Sequence, residues 1–385
     1  MQKVLLPLLF IAIARMAFAQ DSLPKPNEQS ILIQSKALGE GRSIWIHLPD
    51  DYYDSQQTYP VLYVLDGDGH FGEASAVTGY LAGYDRNRIP PMIVVAIVNI
   101  DRTRDFTPIH SLEFGGRQDS ARLGSSGGGG RFLQFIQQEL VPHIDSAYRT
   151  QPYRVLAAHS LGGLFGLYAM EQAPTLFNAT ILMSPAFYGG NNAVFTAFTP
   201  FLQSHPALKS KLFITIGDED THKVDSLQLQ LRNSAPKTLS WGFNQYKGEN
   251  HFSVTYKSLY DGLRFMYKNW FIDYYDGSKE MWYKDLQAHF NRLSDDFGYI
   301  VPMPEELINN CGYTQLRGGH IDCAIDIFLE NTRQFPTSWN AFDSLGEAYA
   351  AKGEKQKAIE SYEKSIQLNP HNEGGISMLK KLKGG

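Results

Sequence analysis

Between about residue 30 and residue 272 the chain alternates short apolar or β-branched runs with stretches of helical periodicity, and this alternation limits the fold more than any other feature. The runs are Ser43–His47, Val61–Leu65, Met92–Val98, Arg154–Ala158, Ala179–Met183, Leu212–Ile216 and Ser240–Gln245. Helical patterns stand between several of them, notably over Arg131–Tyr148, Leu161–Gln172 and Ser253–Phe271. Strands that are apolar throughout, rather than at alternate positions, are covered on both faces, and the intervening helices supply the cover. The expected fold class is α/β: a mostly parallel sheet with helices on both faces.

After Trp270 only helical patterns remain, and they repeat. Gly312, Gly319, Ala324, Phe328 and Pro336 return 34 residues later as Gly346, Gly353, Ala358, Tyr362 and Pro370. Small residues where two helices touch, with a proline closing each unit, mark stacked helical hairpins. The second copy resembles a tetratricopeptide repeat, and the first is degenerate, with Cys311 in place of Leu345 and Gln315 in place of Tyr349. Two repeats are fewer than such arrays need alone, so this small all-α segment is expected to pack on the larger body and to offer a peptide contact or a homo-oligomer interface. The domain boundaries expected are 1–19, 20–290 and 300–385.

The first of these reads as a signal peptide. Lys3 precedes the apolar stretch Val4–Ala14, which is too short to cross a bilayer, and Ala17-Phe18-Ala19 offers the small side chains that a signal peptidase accepts, with cleavage before Gln20. No membrane span is expected elsewhere. A periplasmic or secreted location follows. The formal charge of −5 becomes −7 once Lys3 and Arg15 leave, which argues against nucleic-acid binding by phosphate neutralisation. Two cysteines, Cys311 and Cys323, exclude a disulfide-stapled scaffold or a multi-cysteine zinc module. Both fall on the first helical hairpin, where export would permit one local bridge; two small buried thiols are the plainer alternative.

The chemistry lies in four peptides. In Arg154-Val-Leu-Ala-Ala158-His159-Ser160-Leu161-Gly162-Gly163 a strand enters a helix with small residues two before and two after a serine. This is a nucleophile elbow, in which Ala158 and Gly162 keep the turn clear, Ser160 is lifted above the sheet edge, and the Leu161 N–H faces any carbonyl under attack. In Leu212–Asp220 a strand stops at Gly217 and presents Asp218, Glu219 and Asp220; Asp220 is the first choice for a triad acid, with Glu219 and Asp218 as alternatives. In Tyr246–Ser253, His251 precedes a helix and completes the order Ser160, acid, His. In Tyr59–His70 a strand ends in a glycine-flanked turn, and the Asp68 N–H is assigned as second oxyanion donor.

Other residues are weaker substrate-binding candidates. His70 stands beside the turn, with packing as its plainer role. Arg102 and Arg104 would hold an anionic substrate unless they pair with Asp101 or Asp105. Phe187 and Tyr188 would line an acyl or aryl pocket unless they pack in the core. The run Ser125–Gly130 lacks a following Gly-Lys-Ser/Thr and reads as a flexible loop rather than a phosphate loop. No histidine pair has metal-ligand spacing, so neither a metal nor a cofactor is expected.

Leu65-Asp66-Gly67, Asp101-Arg102-Thr103-Arg104-Asp105, Glu139-Leu140-Val141-Pro142, His159-Ser160-Leu161-Gly162-Gly163 and His251-Phe252-Ser253 together resemble one branch of the α/β-hydrolases. It includes esterase D, feruloyl esterases, mycolyltransferases and siderophore trilactone esterases of the enterobactin type, and the likeness spans about 35–272. The resemblance implies hydrolysis of a small-molecule carboxylic ester through an acyl-enzyme on Ser160, with His251 as base, Asp220 as acid and the Asp68 and Leu161 amides as oxyanion hole. Two alternatives remain: an acyltransferase using the same acyl-enzyme, and a non-catalytic partner-binding module.

Overall fold

A computed structural model of the chain describes residues 27–83, 86–114, 116–187, 192–272 and 283–384. The signal-peptide reading of residues 1–19, and Tyr188, lie outside these.

The strands are β1 (Glu28–Ser35), β2 (Glu40–His47), β3 (Tyr59–Val64), β4 (Ile93–Ile97), a two-residue hairpin β5 (Glu113–Phe114) and β6 (Arg117–Gln118), then β7 (Thr150–His159), β8 (Ala179–Met183), β9 (Ser210–Ile216) and β10 (Leu239–Gln245). Apart from the hairpin they form one sheet in the order β1-β2-β4-β3-β7-β8-β9-β10. From β4 to β10 every pairing is parallel, while β1 and β2 add an antiparallel edge. The mostly parallel α/β sheet read from the sequence is therefore borne out. β1 is the strand that the apolar runs do not show. It lies at the edge and exposes alternate positions, so only half of its residues need be apolar.

Every residue of β3, β4 and β8 is buried. Along β3 the pleat splits these residues between two cores. Val61 and Tyr63 face a cluster with Leu164, Phe165 and Leu167 of α6 (Leu161–Gln172). Leu62 and Val64 face a cluster with Ala74, Val77 and Leu81 of α1 (Gly67–Ala82) and with Leu259, Leu263 and Met266 of α9 (Thr255–Met266). The remaining helices of this body are α2 (Arg102–Phe106), α3 (Ser120–Leu123), α4 (Gly129–Phe135) continued through a π turn at Ile136–Leu140 into α5 (Val141–Ala147), α7 (Ala193–Ser204) and α8 (His222–Ser234).

The glycine run before α4 is a packed seam, not a flexible loop. A Cβ at Gly127 would lie 2.6 Å from the His110 nitrogen, and one at Gly128 would lie 2.9 Å from the Arg104 carbonyl oxygen. The N–H groups of Gly127, Gly128 and Gly129 donate to Thr107 Oγ1, Arg104 O and Thr107 O. Glycine is present because two backbones touch there.

Six helices complete the chain: α10 (Tyr283–Phe297), α11 (Glu305–Arg317), α12 (Ile321–Gln334), α13 (Trp339–Lys352), α14 (Lys355–Leu368) and α15 (Glu373–Gly384). α10 couples the two bodies, because Leu293 and Phe297 sit in the core with Tyr153 and Tyr267 whereas Leu286 sits with Ile308, Cys311 and Ile327. The repeat period has a direct packing cause. A Cβ at Gly312 would lie 2.3 Å from the Phe328 ring, and one at Gly346 would stand 3.1 Å from the Tyr362 ring. Cys311 is buried and Cys323 exposed, and no disulfide joins them, so the bridge considered from sequence is not made. Among the described residues no helix is long and apolar enough to cross a membrane.

Candidate active site

The parallel part of the sheet changes winding direction at β3, which has β4 on one side and β7 on the other. In open α/β sheets the crevice beyond the strand C-termini at such a point is where ligands bind. Four chain segments converge there: the ends of β3, β7 and β9, and the turn before α9.

β7 runs into Ser160, which has φ 57° and ψ −119°. A serine in that region costs about 1–3 kcal/mol and persists only where its surroundings hold it. Here the Ser160 N–H donates to Met183 O, while the Ala186 and Gly163 N–H groups both donate to Ser160 O. The crowded glycine of the elbow is Gly163 rather than Gly162. A Cβ at Gly163 would lie 2.6 Å from Pro185 Cβ, whereas one at Gly162 would make an ordinary contact at 3.5 Å with Leu65 and Asp66. Gly163→Ala is expected to destabilise the fold by about 1–3 kcal/mol, and Gly162→Ala by well under that; paired urea-unfolding curves check both.

The Ser160 Oγ stands 2.8 Å from His251 Nε2. On the other side of the ring, His251 Nδ1 stands 2.7 Å from Glu219 Oε2. Asp220, the first choice from sequence, is not at the ring: its Oδ1 accepts from the His222 N–H at 3.0 Å at the start of α8, and its side chain is 60% exposed. The third carboxylate is also engaged elsewhere. Asp218 Oδ2 accepts from the Gly248 N–H, and the Asp218 N–H donates to Glu249 O, both at 2.7 Å. Gly217 admits this closure, since a Cβ there would be 2.5 Å from Glu249 O. With the chain drawn onto the 246–249 turn at Asp218 and turned into a helix at Asp220, Glu219 is the residue that faces the histidine. Asn250 Oδ1 accepts from the Phe252 and Ser253 N–H groups and so fixes the backbone on either side of His251.

His159 has a part that the elbow motif does not reveal. Its Nε2–H donates to His251 O at 2.7 Å, and the two rings lie at a 43° tilt with centroids 4.8 Å apart. His70 lies edge-on to His159 and pairs with Glu73, whose other oxygen accepts from Thr255. His70 is thus placed behind the His159 ring rather than as a substrate contact. Burial pushes the His159 imidazole down to about 4 from its ordinary 6.5, although the bond to His251 O pulls the other way. The unfolded chain therefore takes up a proton near pH 6.5 that the folded chain refuses until about pH 4. Stability from this group is present above pH 6.5 and is lost as pH falls through that window, by on the order of 3 kcal/mol at most. Urea-unfolding free energies should drop across this range, and His159→Gln should flatten the drop.

Three of the candidate substrate contacts are engaged within the protein itself. Arg104 donates to Glu40 at 2.6 and 3.0 Å and to Asp105 at 2.8 Å, so its guanidinium ties α2 to β2. Phe187 is fully buried against Phe195 and packs in the core. Arg102 is also committed to protein groups, Asp66 and the His159 carbonyl. At the end of β3, Asp66 adopts a left-handed conformation, φ 55° and ψ 47°, and the chain enters α1 at once. The Gly69 and His70 N–H groups donate back to Asp66 O, which leaves the Gly67 and Asp68 N–H groups at the helix start without an intrahelical acceptor. Leu161 has the same position at the start of α6. Two helix N-termini therefore flank Ser160. Among the described residues no group of three or more His, Cys, Asp or Glu is arranged to hold a metal ion.

Fold and site together define a serine ester hydrolase of the α/β-hydrolase class. The family model described as "Putative esterase" matches residues 35–262, more than half of the chain, and the chain belongs to that family. A tetratricopeptide-repeat model matches residues 344–372, which is most of the second hairpin. Among solved structures, an IroE-like serine hydrolase from Shewanella oneidensis is 29% identical with a TM-score of 0.70, over 80% of this chain and 99% of its own. The ferri-bacillibactin esterase BesA of Bacillus subtilis is 26% identical over 228 residues, 54% of this chain and 78% of its own. An uncharacterised protein from Capnocytophaga ochracea, 16% identical, shares the fold with a TM-score of 0.66 over 93% of this chain.

Proposed function

We propose that the chain is an exported hydrolase of siderophore esters that works through an acyl-enzyme on Ser160. The observation that carries this reading is the line of contacts Ser160 Oγ, His251 and Glu219, at 2.8 and 2.7 Å, beside two helix N-termini. His251 takes the Ser160 proton as Oγ attacks the ester carbonyl carbon. The tetrahedral oxyanion is stabilised by the Asp68 and Leu161 N–H groups, and collapse expels the alcohol with the proton from His251. Water, deprotonated by the same imidazole, then attacks the acyl-enzyme and releases the acid. Glu219 holds the Nδ1–H tautomer and offsets the charge of the imidazolium. No cofactor enters these steps.

The substrate class rests on the relatives, which include a ferri-bacillibactin esterase and a siderophore enterobactin esterase from Emericella nidulans. Export rests on the sequence of residues 1–19, and intact mass of the protein recovered from its native host should place the mature N-terminus at Gln20. The substrate reading is tested with a panel of a siderophore lactone, an aryl ester, an acetylated sugar and a thioester. The siderophore lactone should show the highest kcat/KM; a panel led by another class overturns the assignment of substrate, and product carried onto an added alcohol would make the enzyme an acyltransferase.

A further inference from the structure

We propose that the chain pairs with a second copy of itself along the free edge of β1, joining the two sheets about a two-fold axis at Leu32. β1 has β2 on one side and, among the described residues, no strand on the other. The Leu48 N–H donates to Asn27 O, and the register of β1 with β2 runs unbroken from Glu28 opposite His47 to Ser35 opposite Glu40. In an antiparallel ladder alternate residues bond to the same neighbour, so Gln29, Ile31 and Ile33 face β2 while Ser30, Leu32 and Gln34 turn their N–H and C=O groups to the free edge. Edge strands are normally blunted by proline, lysine or a bulge. β1 has none of these: its sequence Glu-Gln-Ser-Ile-Leu-Ile-Gln-Ser holds one charge, at its first residue, and Leu32 is 64% exposed.

The strand's own sequence selects the occupant. Around Leu32 it reads nearly alike in both directions, Ser-Ile-Leu-Ile-Gln. Antiparallel pairing centred there sets Leu32 against Leu32 of the second copy and Ser30 against its Gln34, in pairs that exchange both hydrogen bonds. The exposed Leu32 side chains meet on one face of the seam and cover each other. The same register brings the exposed Glu28 of each copy alongside the exposed Lys36 of the other, so opposite charges meet at both ends. The edge is held ready for this contact: the Lys36 and Ala37 N–H groups both donate to Glu139 Oε1 at 3.0 Å, and the Gln29 amide bonds to Tyr53 and Tyr148. β1 is antiparallel to β2, and β2 to β4, so β1 runs parallel to the rest of the sheet. An antiparallel seam therefore sets the two Ser160 crevices at opposite ends of the joined sheet and blocks neither.

A one-strand seam is short, at the low end of interface sizes, so sedimentation of the purified protein should show a monomer–dimer equilibrium with Kd in the range of about 1–100 µM. Leu32→Lys places two ammonium groups opposite each other and should raise Kd by at least about tenfold. Glu28→Lys and Lys36→Glu should each weaken self-association, whereas a mixture of the two should form a heterodimer, because every facing pair is then opposite in charge. Leu32→Cys in a Cys323→Ser background should cross-link to itself on air oxidation, since facing Cα atoms in such a pair stand about 5.5 Å apart; Ser30→Cys should not. Circular dichroism identifies any variant that fails to fold, and if Leu32→Lys does, the Glu28→Lys and Lys36→Glu mixture decides. A protein that stays monomeric up to about 200 µM, twofold above that range, overturns the proposal. So does a dimer that survives Leu32→Lys unchanged and gives no Leu32→Cys cross-link, since it then uses another surface. Mass and cross-linking are read without substrate, so these outcomes stand whether or not the hydrolase reading does.

Discussion

Ser160→Ala should lower kcat by about 10⁶-fold while the protein remains folded. The size of the effect follows from the geometry. With Oγ gone, His251 Nε2 loses its partner at 2.8 Å. The oxyanion donors remain, so turnover through direct attack of water should persist at about 10³–10⁴-fold over the uncatalysed rate. Stability is expected to hold, because alanine keeps the Cβ at φ 57° and, among the described residues, the Ser160 hydroxyl bonds only to His251. A melting temperature unchanged from wild type, together with the lost kcat, would show that the Ser160 hydroxyl serves reactivity rather than folding.

The second large effect separates neighbouring carboxylates. Glu219→Gln should lower kcat by about 10³–10⁴-fold, since an amide at His251 Nδ1 can present its NH₂ and favour the wrong tautomer. Asp220→Asn should leave kcat within about twofold, because its oxygen caps the start of α8 at the His222 N–H and an amide oxygen does the same. Steady-state kinetics on both variants check the pair. Equal losses would mean that the acidic loop rearranges in the working enzyme; loss at Asp220 alone would restore the acid favoured by the sequence.

That contrast also shows where the sequence is readable and where it is not. The inner strands are legible because double-sided burial demands apolar residues at every position, as in β3, β4 and β8. β1 is not, because an edge strand with one solvated face has no such demand. The repeat is legible at Gly312 and Gly346 since each faces an aromatic ring from the partner helix, a constraint that recurs with the period. The strand-to-helix pattern around Ser160 and the turn at His251 are local, and local patterns survive in the sequence. The acid is a different case. Three consecutive carboxylates differ only in how the chain bends, and the bend is set by Glu249 O and Gly248 N from a segment 30 residues away. The same holds for Arg102 and Arg104, whose pairing with Asp66, Glu40 and Asp105 is a tertiary fact. Their motif shows two arginines among acids and does not say which acid each will meet. His159 is visible in the elbow, yet its bond to a carbonyl 92 residues on depends on how α9 docks.

The most direct test of the central claim is the site of reaction with a fluorophosphonate, read by intact mass and peptide mapping. One adduct per chain is expected, on the Ser160 peptide, formed rapidly by folded protein, slowly by Glu219→Gln and not at all by Ser160→Ala. Folded wild-type protein that takes up no label, or label that persists in Ser160→Ala, would contradict it.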